Sequence, residues 1–315
     1  MKKKILIAGG SGLLGTHLTK LLLKNKTSFI STYNSKIRED NLKKYYKKCN
    51  FLKLNECIKI TKNIESVIIC AASHHSGIKS LKSNNLYFQN INNINIKINL
   101  LEACKINKIK KIVWISSSTS YQESNKIISE NQMNYNLPTY KIYRSTGLVY
   151  RFIEQIAYYY SEIFKMDINI IRTANIYGPY DNFSKNQGHV IPALIFKAMN
   201  KSKNLEVWGD PNVVRDFVYA EDLAKACYKV LKSKKRNLTL NFSSGKGVKI
   251  QKLAKEILKS LKIKKKILFQ KSMPSSAKYR VLNNRIFNNY FRNFKRTKLR
   301  DGIKTTAQWL KKNFS

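Results

Sequence analysis

The sequence predicts an α/β protein: a doubly wound parallel sheet over residues 1–172, then a smaller α/β substrate lobe that makes up most of 173–315. Three observations carry this. Short apolar runs alternate with amphipathic stretches at helical spacing, the pattern of parallel strands joined by crossover helices. Gly9, Gly12 and Gly15 recur at every third position in the first strand-to-helix turn. Beyond about residue 175 the alternation weakens and the connections lengthen, although segments near 173–178 and 215–240 are expected to return to the first domain.

The first strand is "KILIA", followed by the turn "GGSGLLG" and a helix marked by Leu14, Leu18, Leu21 and Leu22. "TSFIST" reads as the second strand and "SVIICAA" as a buried one. A long helix is expected over "YFQNINNINIKINLLEACKIN", then the strand "KIVWISSS", a helix over 146–164 and the strand "DINIIRTA". Gly9, Gly12 and Gly15 permit a tight turn, close approach of backbone to a pyrophosphate, and close helix-to-strand packing, while the helix N-terminus supplies amide donors. Their place directly after a strand and before a helix makes this a dinucleotide-binding signal. An acid at the end of the second strand would hold the ribose of NAD. Here "ISTYNSKIRED" has none at Tyr33 or Asn34 and has Lys36 and Arg38 just beyond, which favours NADP over NAD.

With 315 residues the chain is long enough for two lobes and a large core. Its net charge of +42 comes from 60 basic against 18 acidic residues, mostly lysine spread along the chain rather than gathered in a stripe. A nucleic-acid footprint calls for local Arg forks and stacking aromatics, so the charge reads as a solvated surface whose field attracts anionic substrates. No nucleic acid is expected as a partner. Five cysteines follow no metal or disulfide spacing, which favours a reducing compartment. No run spans a bilayer, and a cytoplasmic protein without a membrane partner is expected.

Together "GGSGLLG", "VIICAAS", "NINIKINLLEA", "VWISSSTSY", "RTANIYGPYDNF", "HVIPALI", "VWGDPNVVRDFVYAEDLA" and "NFSSGKGVKI" make nearly the whole chain similar to the extended short-chain dehydrogenase/reductases of the NAD-dependent epimerase/dehydratase group, which rework nucleotide-linked sugars. The segments around His189 and Trp208 look most like the members that epimerise and reduce GDP-keto-deoxy sugars. The resemblance implies a Rossmann domain with Gly9, Gly12, Leu13, Leu14, Gly15, Ala71 and Ala72 at the cofactor, and Asn175, His189, Trp208 and Arg215 at a nucleotide-diphosphate sugar. It also implies a homodimer built on two long helices of each subunit.

The family's catalytic set is Ser or Thr, then Tyr and Lys four apart; the phenol exchanges the proton and the lysine lowers its pKa and holds the cofactor ribose. Ser117 falls at the Ser position. Aligning "TGLVYRFIEQ" with the family's Tyr-Gly-x-x-Lys-Arg pattern puts Thr146 at the Tyr and Tyr150 at the Lys, so both proton-handling residues are replaced. Tyr150 remains able to hydrogen-bond the cofactor ribose. Thr119 stands where the GDP-sugar members have a second, cysteine acid, and His189 matches its partner. The expectation is therefore an NAD(P)-dependent nucleotide-sugar epimerase, dehydratase or reductase with a rearranged proton path drawing on Ser117, Thr119, His189, Tyr140 or Tyr143. The alternative is a non-catalytic member that binds cofactor or nucleotide sugar as a sensor or subunit partner. Tyr143 is expected to be a packing residue at the helix start.

Overall fold

The computed structural model describes residues 4–73, 85–183, 188–273 and 277–314. In chain order β1 (Ile5–Ala8), α1 (Leu13–Lys24), β2 (Phe29–Tyr33), β3 (Tyr46–Lys48), α2 (Leu54–Thr61), β4 (Ser66–Ile69), α3 (Asn85–Ile106), β5 (Lys111–Ser117), α4 (Arg144–Ile163) and β6 (Asp167–Thr173) build the first half. Then come β7 (Asn175–Tyr177), α5 (Val190–Met199), β8 (Asn204–Trp208), β9 (Val214–Arg215), β10 (Phe217–Tyr219), α6 (Ala220–Lys232), β11 (Thr239–Phe242), β12 (Val248–Lys249), α7 (Ile250–Leu261), β13 (Lys266–Gln270), β14 (Tyr279–Arg280), α8 (Arg285–Tyr290) and α9 (Leu299–Phe314).

Seven strands form the main sheet in the order β11-β6-β5-β4-β1-β2-β3, and every pairing is parallel. A parallel sheet needs helices on both faces, which is why β1, β4 and β6 are buried along their whole length. One face packs Leu100, Leu101, Ile153 and Ala157 of α3 and α4 against Leu6, Val67 and Trp114. The other packs Leu18 and Leu22 of α1 and Leu223 and Cys227 of α6 against Ile5, Ile7 and Val113. The strand order reverses between β1 and β4, and at such a switch point the loops leaving the strand ends splay apart and open a crevice. A third core, from α5, α7, α9 and the β8/β13 ribbon, closes the far side of that crevice.

An ion pair locks α4 to the sheet. Arg172 on β6 donates to Glu154 on α4 at 2.8 Å, with 2% and 0% of the side chains exposed. Ser116 also donates to Glu154, and Arg172 reaches the Tyr121 hydroxyl at 3.0 Å. Burial alone would pull the Arg172 pKa down, but the Glu154 carboxylate beside it drives it upward.

Candidate active site

One cavity of about 1580 Å³ runs along the crevice, and every site residue expected from the sequence except Tyr140 lines it. That exceeds the usual size of a single-ligand pocket, so there is room for a dinucleotide and a second ligand together.

The cofactor end is built by the glycine turn. Gly9 has φ +89°, and a Cβ there would lie 2.5 Å from the Ala71 Cα. A Cβ on Gly15 would strike the Gly9 carbonyl, so α1 sits close on β1 only because that position is glycine. Gly12 is different: a Cβ there would meet only the Gly9 oxygen, at 3.4 Å, and its cavity side is open. It is also the N-cap of α1, with no capping side chain and no acid in the first turn. The amides of Leu13 and Leu14 therefore begin a helix whose positive end faces open cavity, a cradle that fits a diphosphate. Thr32 of β2 fixes the turn from below, accepting from the Gly9 amide at 2.9 Å and donating to Ile7 O at 3.1 Å. Of the two cations beyond β2, Arg38 donates to the backbone carbonyls of Tyr180 and Asp181. Lys36 stays exposed on the cavity wall.

The middle is formed by the end of β5 and the start of α4. Ser117 Oγ accepts from the Thr119 amide at 3.2 Å and its hydroxyl at 2.9 Å, which leaves its own proton to point elsewhere. Gly147 lets α4 approach this segment; a Cβ there would be 2.5 Å from Thr119 O. Arg151, nearly buried, donates to Ser120 O and Leu137 O, both at 2.7 Å. Both landmarks of the α4 motif thus have structural work. Thr146 is 8% exposed, and its Oγ1 has no hydrogen-bond partner among the described residues. Tyr150, one turn on, packs against the apolar core with its phenol pKa raised by burial and then by Glu154.

Tyr140 and Tyr143 part ways. Tyr140 is 2% exposed and does not line the cavity. Tyr143 does line it, contrary to its expected packing role, because the 3₁₀ turn Lys141–Tyr143 delivers its ring to the cavity wall. Its side chain hydrogen-bonds Arg215, and the Arg280 guanidinium lies 4.6 Å from the ring centroid.

The far end holds the cations. Arg215 is buried, donating to Val214 O at 2.6 Å and to Ala277 O. Desolvation, then the like charge of Arg280, bring its pKa down to about 10, so it remains a cation at neutral pH. Arg280 donates to Asn175 Oδ1 at 2.6 Å, while its Nε and Nη1 are buried without partners among the described residues. Asn175 is held from its other end by Asp216 O at 2.8 Å. Two adjacent buried guanidiniums invite an anionic ligand, whose charge would relieve their mutual repulsion. Nearby, the Asp181 carboxylate lies 2.9 Å from His189 Nδ1 and raises that imidazole's pKa. Trp208 completes this end, with the Lys197 ammonium 4.5 Å from its ring centroid.

A family model, NAD dependent epimerase/dehydratase family, matches residues 5–241. The chain belongs to that family. Among curated relatives, the epimerase/dehydratase chain is 26% identical to a GDP-L-fucose synthase of Dictyostelium discoideum over 99% of this chain and 97% of the relative. It is 27% identical to a GDP-L-colitose synthase of Yersinia pseudotuberculosis over 97% of each. Its fold matches a UDP-glucose 4-epimerase of Thermotoga maritima with UDP-glucose, at TM-score 0.87 and 21% identity over 99% and 100% of the two chains. It also matches a GDP-L-fucose synthetase of Naegleria fowleri bound to NADP, at TM-score 0.82 and 19% identity over 100% and 96%.

Two contributors to this epimerase/dehydratase site went unread in the sequence. Thr32 acts through one hydroxyl on a strand whose residues otherwise read as ordinary β formers. Arg280 stands outside every motif quoted above, and only the β14–β9 pairing, Arg280 opposite Arg215, brings the two cations together. Among the described residues no group of His, Cys, Asp and Glu is arranged to hold a metal, and no helix is long and apolar enough to cross a membrane.

Proposed function

We propose that this chain is an NAD(P)-dependent enzyme of the epimerase, dehydratase or reductase class, acting on a nucleotide-diphosphate sugar through a non-standard proton path. The observation that carries it is the cavity itself, with an open, uncapped glycine turn at one end, a pair of buried guanidiniums at the other and hydroxyls between. NADP is the favoured cofactor, with Lys36 the cation placed to meet its extra phosphate. Bound against the glycine turn of Gly9, Gly12 and Gly15, such a cofactor would supply hydride-transfer chemistry.

The protein's own residues handle the proton and the anion. Arg215 and Arg280 hold the sugar nucleotide's diphosphate, and Asn175 keeps Arg280 in place. Tyr143 is the proton carrier: a guanidinium hydrogen-bonded to a phenolic oxygen favours the phenolate, as the family's lysine does for its own tyrosine. Ser117 steadies the substrate oxygen, and His189, oriented by Asp181, is the second acid. The protein works as a homodimer through the outer faces of α3 and α4.

The test is absorbance. Purified protein with oxidised or reduced NADP or NAD is mixed with GDP-, UDP- and dTDP-linked sugars, and slow reduction or oxidation of the nicotinamide, or conversion of the sugar to a new product, is expected for at least one of them. Tyr143→Phe should cut that rate by about 100-fold or more while the nucleotide sugar still binds. Binding of nucleotide sugars with neither a change in nicotinamide absorbance nor any new sugar product by NMR would instead make the protein a non-catalytic binder.

A further inference from the structure

Lys97 on α3 is a buried cation without a counter-charge among the described residues. Only 3% of it is exposed, yet it lines the cavity. Its Nζ donates to Ala71 O at 2.6 Å and lies 5.4 Å from the Trp114 ring centroid, and no carboxylate pairs with it among the described residues. Taking an ammonium out of water costs several kcal/mol unless an anion compensates, so such a group is a poor choice for mere structure.

The surroundings say which anion is within reach. Ala71, whose carbonyl holds Lys97, is the residue that packs against Gly9 of the phosphate-cradling turn. Cys70, beside it, hydrogen-bonds the carbonyls of Ala8 and Gly9. Through the Ala71 carbonyl the ammonium is thus anchored to the segment, just after β4, that packs against the glycine turn. At position 150, meanwhile, the chain has a neutral phenol.

We infer that Lys97 binds the diphosphate of the dinucleotide, supplying from α3 a cofactor-directed cation that α4 lacks at Tyr150. This rests on the proposed dinucleotide site. A further sign is that burial has already drawn the Lys97 pKa down to about 8, so an arriving anion makes the amine take up a proton. The titratable groups on the packed elements stay silent there: burial pushes the Cys70 thiol up to about 12 and the Tyr150 phenol upward.

The decisive experiment compares NADPH and adenosine binding, followed by fluorescence and calorimetry, in wild type and Lys97→Met. NADPH affinity is expected to fall about tenfold or more, the worth of a charge-assisted hydrogen bond, with adenosine affinity unchanged. The melting temperature of the ligand-free variant should hold or rise, because an unpaired buried charge has been removed. Equal loss of NADPH and adenosine with a lowered melting temperature marks a structural lysine and overturns the inference, as does unchanged NADPH affinity. Should the variant fail to fold, wild type alone decides: calorimetry at pH 8.5 in buffers of different ionisation heat is expected to show proton uptake on NADPH binding, and none refutes it. Wild type that binds neither NADPH nor NADH overturns the dinucleotide site along with Lys97, whereas normal wild-type binding with an indifferent Lys97→Met overturns Lys97 alone.

Discussion

Thr146 and Tyr150 lie one turn apart on α4, and both line the cavity. The Thr146 hydroxyl is far too weak an acid to stand in for a phenol, and Tyr150 carries no charge to activate one. Thr146→Tyr with Tyr150→Lys should restore a phenol and a cation on one helix face. Turnover on a responsive nucleotide sugar is then expected to rise by about 100-fold or more, worth about 2.7 kcal/mol of barrier. Neither single change should match it, since a phenol without its cation stays protonated near a pKa of about 10 and a cation without the phenol has no proton to move. A double variant no faster than wild type would sink the assignment of these two positions. The reading of Thr146 and Tyr150 as the replaced pair rests on Gly147 and Arg151, which frame them in the sequence. The burial of Lys97 was not legible: in a chain with 60 basic residues, nothing local marks those that fold inward.

At the scale of elements, α4 carries the centre of the site and Glu154 fixes where that helix lies. A carboxylate with no exposure, bound by Arg172 and Ser116, tolerates no slip of α4 along β6. Glu154→Gln leaves the Arg172 guanidinium buried and unpaired, and should destabilise the fold by roughly 3–5 kcal/mol in urea denaturation. Glu154→Met together with Arg172→Met should recover much of that loss, because no charge then remains buried; a double variant as weak as the single one would show that the pair matters for more than mutual compensation. Much of the first half was readable because β1, β4 and β6 are apolar runs buried along their whole length. The three-residue β3 was not, since Tyr46 alone of its side chains is buried and so short a segment has no alternation to read. Among site elements, the glycine turn announced itself, while the meeting of Arg215 with Arg280 depends on a strand pairing across many residues of chain.

For the molecule as a whole, two surface properties pull against each other. The outer faces of α3 and α4, which pack side by side, expose Tyr87, Phe88 and Ile91 on one helix and Leu148, Phe152, Tyr159 and Ile163 on the other. Ile156 and Tyr160 turn inward to the core, so the exposed set is a separate stripe and not its fringe. Exposed apolar side chains on neighbouring helices are the kind of surface that a two-fold copy can cover without leaving a free face. Against this stands a net charge of +42 on each copy, which repels a second copy wherever salt does not screen it. A dimer formed on this stripe should therefore tighten as salt is added, the reverse of an interface made by ion pairs. Sedimentation equilibrium at micromolar protein is expected to show a dimer at physiological ionic strength and partial dissociation at low salt. Phe152→Glu with Tyr159→Glu, which places charge in the middle of the stripe, should give a monomer whose melting temperature is close to that of wild type. A wild-type chain that stays monomeric at every salt concentration would rule this interface out, and a dimer that survives both substitutions would place the contact elsewhere on the surface.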